Sequence, residues 1–141
     1  MRIQGMKDSD AILSDGATSL SSSSILKVGG SNKIIDLGAN YAEKAYPHIA
    51  VINVTTMRGD SSQTYQIEFN NGTANDGSGV LLATTQVITA DMVAASPYGL
   101  YKQYLLTLVP KHRYLSAKFT GGGSGTLAFV ASGYIYVPQV R

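Results

Sequence analysis

The stretch from Arg113 to Pro138, RYLSAKFTGGGSGTLAFVASGYIYVP, has the pattern of two β-strands joined by a glycine turn. In the second strand, from Leu127 to Val137, most alternate positions are apolar. Successive side chains of a strand point to opposite faces, so this period of two predicts a strand with a buried face. The turn, GGGSG, is almost all glycine, and glycine enters positive φ at little cost. The stretch therefore predicts a β-hairpin.

The second strand of this hairpin is apolar on both of its faces. One face carries Leu127, Phe129, Ala131, Ile135 and Val137, and the other carries Ala128, Val130, Ser132, Tyr134 and Tyr136. A strand of this kind is usually covered on both sides. We expect the protein's own second sheet on one side, and a partner subunit or a neighbouring protein on the other.

The rest of the chain carries further strand patterns and almost no helix signal. The clearest are His48 to Met57, which is rich in β-branched residues, and Gln63 to Asn70, in which aromatic and apolar residues alternate with polar ones. Shorter apolar runs predict strands at residues 25–28, 33–37, 80–88 and 100–109. About eight strands at this spacing predict an all-β fold, a jelly-roll-like antiparallel β-sandwich. An immunoglobulin-like sandwich is the alternative that the pattern leaves open.

The N-terminal segment differs in character from the rest of the chain. Residues 1–24 lack a sustained apolar period and end in the serine run Ser21 to Ser24. Serine-rich segments are flexible spacers, so we predict a flexible N-terminal arm at residues 1–24 and a single sandwich domain at residues 25–141. The apolar pair Ile12 and Leu13 favours an arm that becomes ordered on a neighbouring subunit. A disordered terminus is the simpler alternative.

Composition narrows the classes of function. Charged residues make up 14% of the 141-residue chain, against about 25% in an average globular protein, and such a surface fits a protein that is covered by others. The formal net charge of +2 is too small to indicate nucleic acid as a partner. No apolar run approaches the roughly 20 residues that cross a membrane, and the acidic N-terminal residues argue against a secretion signal.

Motifs for catalysis, cofactors and metals are missing from the sequence. Neither His48 nor His112 has a second histidine or a carboxylate at ligand spacing, and the chain contains no cysteine. Glu68 lies in the middle of a predicted strand, but nothing specifies a second carboxylate that would complete the acid pair of a glycosidase. The glycine turn lacks the lysine and Ser/Thr of a phosphate-binding loop. We therefore predict a protein that is not an enzyme and that binds no cofactor and no metal.

Charge and aromatic patterns indicate candidate binding residues. All nine acidic residues lie at or before Asp91, and the charged residues after it are basic, an asymmetry that is compatible with a basic footprint for an acidic partner. Tyr134 and Tyr136 share one strand face, and tyrosine is favoured at protein interfaces. The alternatives are that the charges mix in the folded chain and that the tyrosines pack within the sheet. The predicted protein-interface residues are Ile12, Leu13, Lys111, Arg113, Tyr134 and Tyr136.

The order of these segments resembles the capsid cement proteins of tailed phages, of the type first defined in a Bordetella podophage. The resemblance runs from Ile34 to Gln139 through IIDLG, IAVINVTT, TYQIEFNNGTANDGSG, LLATTQVITADMVA and YKQYLLTLVPKHRYLSAKFTGGGSGTLAFVASGYIYVPQ. It implies a jelly-roll β-sandwich on the outer surface of an icosahedral capsid, where it clamps neighbouring copies of the major capsid protein. It also implies a homodimer, and a trimer is the alternative. The resemblance brings no active site with it.

The residues and the resemblance together predict a structural virion protein, made in the cytoplasm of the host bacterium and attached to the capsid surface. A carbohydrate-binding β-sandwich is the alternative, and it requires Tyr134 and Tyr136 to be exposed on a concave surface. We also expect Lys111→Glu combined with Arg113→Glu to weaken capsid association without unfolding the protein. Deletion of residues 1–24 is expected to reduce attachment while it leaves the fold intact.

Overall fold

The computed structural model describes residues 12–38, 47–58, 64–85, 88–89, 102–122 and 128–137. All the regular structure in these ranges is β-strand. The strands are β1 (Ile12–Asp15), β2 (Ser24–Ile25), β3 (Lys27–Val28), β4 (Ser31–Asn32), β5 (Ile35–Asp36), β6 (His48–Arg58), β7 (Thr64–Gly72), β8 (Val80–Thr84), β9 (Ile88–Thr89), β10 (Lys102–Leu108), β11 (Tyr114–Gly122) and β12 (Ala128–Tyr136). Each of their pairings is antiparallel.

The strands form two sheets that enclose one core, and the short strands β3 and β4 pair with each other. The first sheet has the order β1-β12-β6-β10. The second has the order β2-β11-β7-β8, with β5 also on β11 and β9 also on β7. Counting β2 to β5 as one position and β8 with β9 as another, the sheet orders become 1-8-3-6 and 2-7-4-5, which is the arrangement of a jelly roll. The predicted jelly-roll-like β-sandwich is confirmed.

The core between the sheets is built from the inward positions that the period of two predicts. Tyr65 of β7, Phe119 of β11 and Phe129 of β12 are each at most 1% exposed. The rings of Phe119 and Phe129 lie 4.3 Å apart and stack, and Tyr65 lies 5.7 Å and 6.1 Å from them. Because Phe119 and Phe129 come from different sheets, this aromatic group joins the two layers. Such ring pairs contribute about 0.5–1.5 kcal/mol each beyond their buried area.

The predicted flexible arm, residues 1–24, is wrong from β1 onward. β1 pairs with β12 along the edge of the first sheet. Leu20 exchanges backbone hydrogen bonds of 2.8 Å and 3.0 Å with Phe129, and Leu13 and Leu20 are 1% and 6% exposed in the core. The sequence pattern conceals this because the two leucines are separated by the small and polar residues SDGATS, so no apolar period is visible. Residues 1–11 lie outside the described part of the chain.

The second sheet is extended at one end by a strand that is longer than predicted. β7 continues through Asn71 and Gly72, past the predicted end at Asn70. A Cβ atom on Gly72 would collide with the backbone carbonyl of Ser78, so only glycine fits where the loop folds back. Gly79 in the same loop has a φ of +131°. The loop therefore packs tightly against the end of β7.

Candidate protein-interaction site

The outward face of the sheet β1-β12-β6-β10 carries a row of apolar side chains that crosses all four strands. The register places Ile12 opposite Tyr134, Tyr134 opposite Val51, and Val51 opposite Leu105. The chain neighbours of these residues contribute to the core, so alternation directs the four side chains to the other face. Directly opposed residues on one sheet face have Cβ atoms about 4.5–5.5 Å apart. We call Ile12, Tyr134, Val51 and Leu105 the outer row.

Exposure changes along the outer row. Val51 is only 4% exposed, although it does not belong to the core between the sheets. Ile12 and Tyr134 are half-buried, and Leu105 is 62% exposed. The outer row is therefore dense at its centre and most accessible at β10.

A second tyrosine widens this apolar surface. The ring centroids of Tyr134 and Tyr136 are 6.2 Å apart and their planes meet at 35°. Tyr136 lies opposite Ile49 of β6, and Ile49 lies opposite Thr107 of β10. Both tyrosines are half-buried. Apolar and aromatic groups grouped in this way are typical of the central part of a protein interface.

Polar groups flank the outer row. On the side toward the start of β10, Gln103 Nε2 donates a hydrogen bond of 2.7 Å to Asn53 Oδ1. At the β1 edge, the carboxylate of Asp15 accepts hydrogen bonds from the backbone N–H of Gly29 (2.7 Å) and of Ala17 (3.0 Å). These two hydrogen bonds lower the pKa of Asp15 below its ordinary value, because they stabilise the charged form. An apolar centre with a polar border resembles the anatomy of a docking surface.

The predicted basic interface residues, Lys111 and Arg113, lie elsewhere, on the connection between β10 and β11. Lys111 is exposed there. Arg113 forms a two-pronged ion pair with Asp36, with distances of 2.7 Å from Nε to Oδ1 and 2.8 Å from its terminal nitrogen to Oδ2. Hydrogen bonding to this carboxylate raises the pKa of Arg113, and the guanidinium also lies 5.2 Å from the ring centre of Tyr114. Acidic and basic halves of the sequence thus meet at this position, and Arg113 is not an uncompensated charge.

The same connection is held in place by Asn71, for which the sequence pattern predicted no such role. Its side chain is fully buried at the last inward position of β7. Asn71 Oδ1 accepts from the backbone N–H of Lys111 (2.6 Å) and of His112 (2.7 Å). Its Nδ2 donates to the carbonyls of His112 (2.9 Å) and Tyr114 (2.8 Å). The available signal was a polar residue at an inward position, directly after Tyr65, Ile67 and Phe69 in the alternation.

The structure therefore divides the predicted interface residues into three groups. Ile12, Tyr134 and Tyr136 meet on the outward face of the first sheet. Leu13 is corrected to a core residue, because its side chain is 1% exposed and points between the sheets. Lys111 and Arg113 lie apart from the outer row, at one end of the sandwich. Val51 and Leu105 belong to the outer row but were not predicted, because their place depends on strand register.

Two further features of the described residues concern metal binding and membrane spans. No group of three or more His, Cys, Asp or Glu side chains in the described ranges is arranged to hold a metal ion. The same part of the chain contains no helix that is long and apolar enough to cross a membrane.

A scan of the sequence against models of protein families finds no match, and a search of curated proteins finds none either.

Proposed function

We propose that this protein is a capsid cement protein, which binds the outer surface of an icosahedral phage head and holds neighbouring major capsid proteins together. The observation that carries the proposal is the outer row. The first sheet of the sandwich already uses its inner face for the core, yet its outer face also carries an apolar row that crosses all four strands. Antiparallel sheets commonly leave one face polar and solvated, so an apolar row on the second face indicates a surface made for a protein partner.

The resemblance of residues 34–139 to phage cement proteins supports a capsid as that partner. A compact β-sandwich suits this task because its strands hold the contact residues in fixed positions. Tyr134 and Tyr136 offer large rings with polar tips, and tyrosine is enriched among residues that dominate binding energy. On a symmetric shell the same contact recurs at every equivalent position. A molecule that touches two capsid subunits binds the second at a high effective concentration, which tightens the joint.

Cosedimentation with capsids of the parent phage that lack this protein tests the proposal. The full chain is added to such particles at increasing concentration, and bound protein is measured after pelleting. Saturable binding at a fixed ratio to the major capsid protein, with a higher melting temperature of the capsid, is the expected result. A protein that is folded by circular dichroism and yet stays in the supernatant at all concentrations contradicts the proposal.

The paired rings of Tyr134 and Tyr136 favour a second candidate, a carbohydrate-binding sandwich. Adjacent aromatic side chains on a sheet face offer surfaces on which sugar rings stack. A glycan array probed with the full chain separates the candidates. Glycan binding without capsid binding favours the second function, and capsid binding without glycan binding favours the first.

A further inference from the structure

The exposed large hydrophobic residues of the described chain all lie on one side of the sandwich. Val80, Leu81, Leu105 and Val109 have exposed fractions of 46%, 55%, 62% and 45%. The first two belong to β8, the third belongs to β10, and Val109 directly follows β10. Among the described strands, β8 and β10 end the strand orders of their two sheets, and they contact each other. We call this surface the β8–β10 side.

β10 lacks the devices that normally protect an edge strand. Such strands are blunted by proline, by charged residues or by bulges that twist them away. β10 contains no proline, and its one charge is Lys102 at its first position. All seven of its residues pair with β6 without a register shift, whereas the pairings of β1 and of β12 each contain a shift. Among the side chains of β10 that the structure describes, the exposed ones, Gln103, Leu105 and Thr107, are all neutral.

We propose that β10 pairs with β10 of a second copy of this chain, antiparallel about a two-fold axis at Leu105. Leu105 is the central residue of the strand, so such an axis places it opposite Leu105 of the second copy. Gln103 then lies opposite Thr107, and Lys102 opposite Leu108, so no charge faces a like charge. The strand is self-complementary, which is the requirement of a two-fold interface.

This pairing also involves the β8 part of the β8–β10 side. Because β8 contacts β10 in each copy, the same association brings Val80 and Leu81 toward the second copy. The sheet β1-β12-β6-β10 of one copy then continues into the same sheet of the second copy, and the outer rows of the two copies join at Leu105. The resemblance to cement proteins implies a dimer but does not say which surface forms it. The inference stands on the edge strand and does not depend on capsid binding.

The molecular mass of the full chain in solution is the first test. Sedimentation equilibrium is expected to give twice the chain mass of 14.9 kDa. Leu105→Lys is expected to reduce the mass to that of one chain, because two like charges would then face each other at the axis. Ser19→Lys is the matched control, since Ser19 is also exposed and neutral but lies beyond β1, and it is expected to remain a dimer. Circular dichroism confirms that each variant is folded.

Single cysteine substitutions then test the register, because the chain contains no cysteine of its own. Leu105→Cys is expected to form a disulfide-linked dimer on mild oxidation, since opposed Cβ atoms lie about 4.5–5.5 Å apart, close to disulfide distance. Gln103→Cys alone is expected to remain uncrosslinked. Position 103 of one chain faces position 107 of the other, so the two substituted positions are four residues apart along the ladder, roughly 13 Å. A mixture of Gln103→Cys and Thr107→Cys chains is expected to crosslink.

Three results would overturn the inference. They are a wild-type chain that remains a monomer at every concentration, a dimer that survives Leu105→Lys, and crosslinking through Gln103→Cys as efficient as through Leu105→Cys. A monomer that still cosediments with capsids overturns the inference and leaves the proposed function standing. A dimer with the expected crosslinks that fails to cosediment supports the inference and contradicts the proposed function.

Discussion

Asn71 and Asp15 both supply hydrogen-bond partners to backbone groups at places where a strand ends. Backbone groups in a turn lose their ladder partners, and buried ones are costly when left unpaired. The buried amide of Asn71 replaces those partners on the connection before β11. The exposed carboxylate of Asp15 does so between β1 and the β3–β4 hairpin, where it accepts from the N–H of Gly29. The two residues differ in burial, so they differ in their expected contribution to stability.

Asn71→Ala is expected to lower the free energy of unfolding by about 2–4 kcal/mol, because it removes four hydrogen bonds to backbone N–H and C=O groups of a part-buried connection. Urea denaturation of the wild type and the variant measures the loss. Asn70→Ala is the matched control. It removes the same side chain from the neighbouring position, which is half-buried on the opposite strand face, and a change within about 0.5 kcal/mol is expected. Equal losses in the two variants would show that the hydrogen bonds of Asn71 are not what stabilises the connection.

Asp15 predicts a pH dependence of stability. Hydrogen bonds from Gly29 and Ala17 lower the pKa of Asp15 in the folded protein. A carboxylate with a lowered pKa contributes stability above its unfolded-state pKa, and this contribution is lost as the pH falls through the folded-state pKa. Between about pH 5 and pH 2, the unfolding free energy of the wild type is expected to fall more than that of Asp15→Asn. The difference should be below about 1 kcal/mol because the group is exposed, and parallel curves would contradict the prediction.

At the scale of strands, what the sequence predicts depends on strand length and register. β6, β7, β11 and β12 have nine to eleven residues, long enough to display their alternation, and they were predicted. β1 has four residues and is held by its pairing with β12, so no local pattern marks it. The outer row was predicted only in part, because Val51 and Leu105 join it through cross-strand register. Register depends on turns and packing that one strand does not encode.

Deletion of the N-terminal segment tests whether the folded domain begins at β1 or, as predicted, at residue 25. Removing residues 1–24 eliminates β1 and the core residues Leu13 and Leu20. Each lost buried leucine costs about 2–5 kcal/mol, and whole domains are stable by about 5–15 kcal/mol, so this variant is expected to be unfolded or nearly so at 25 °C. Removing residues 1–11 leaves every described strand in place and is expected to shift the melting temperature by only a few degrees. Thermal denaturation followed by circular dichroism measures both. Equal melting temperatures would restore the flexible-arm interpretation for the whole segment.

At the scale of the whole molecule, charge and apolar surface lie in different places. Of the two predicted basic interface residues, Lys111 carries the test, because Arg113 is paired with Asp36. The combined change Lys111→Glu and Arg113→Glu would therefore also set a new carboxylate beside Asp36. Lys111→Glu alone is the cleaner test. If the footprint faces an acidic capsid surface, this variant is expected to bind several-fold more weakly at low salt and nearly as well as the wild type at high salt. A difference that is independent of salt would contradict an electrostatic role.

Substitutions in and beside the outer row test the proposed function most directly. Tyr134→Ala combined with Tyr136→Ala removes both rings from the outward face but leaves β10 and the β8–β10 side unchanged. Interface tyrosines that dominate binding contribute about 2 kcal/mol or more, so capsid affinity is expected to fall at least about 30-fold while the solution mass stays the same. Tyr114→Ala is the control, since it removes a half-buried tyrosine from the other sheet. Cosedimentation measures affinity, and circular dichroism confirms folding. If the double variant binds capsids as tightly as the wild type, the apolar outer face is not the capsid-binding surface, and the contact must be sought at Lys111 or on the second sheet.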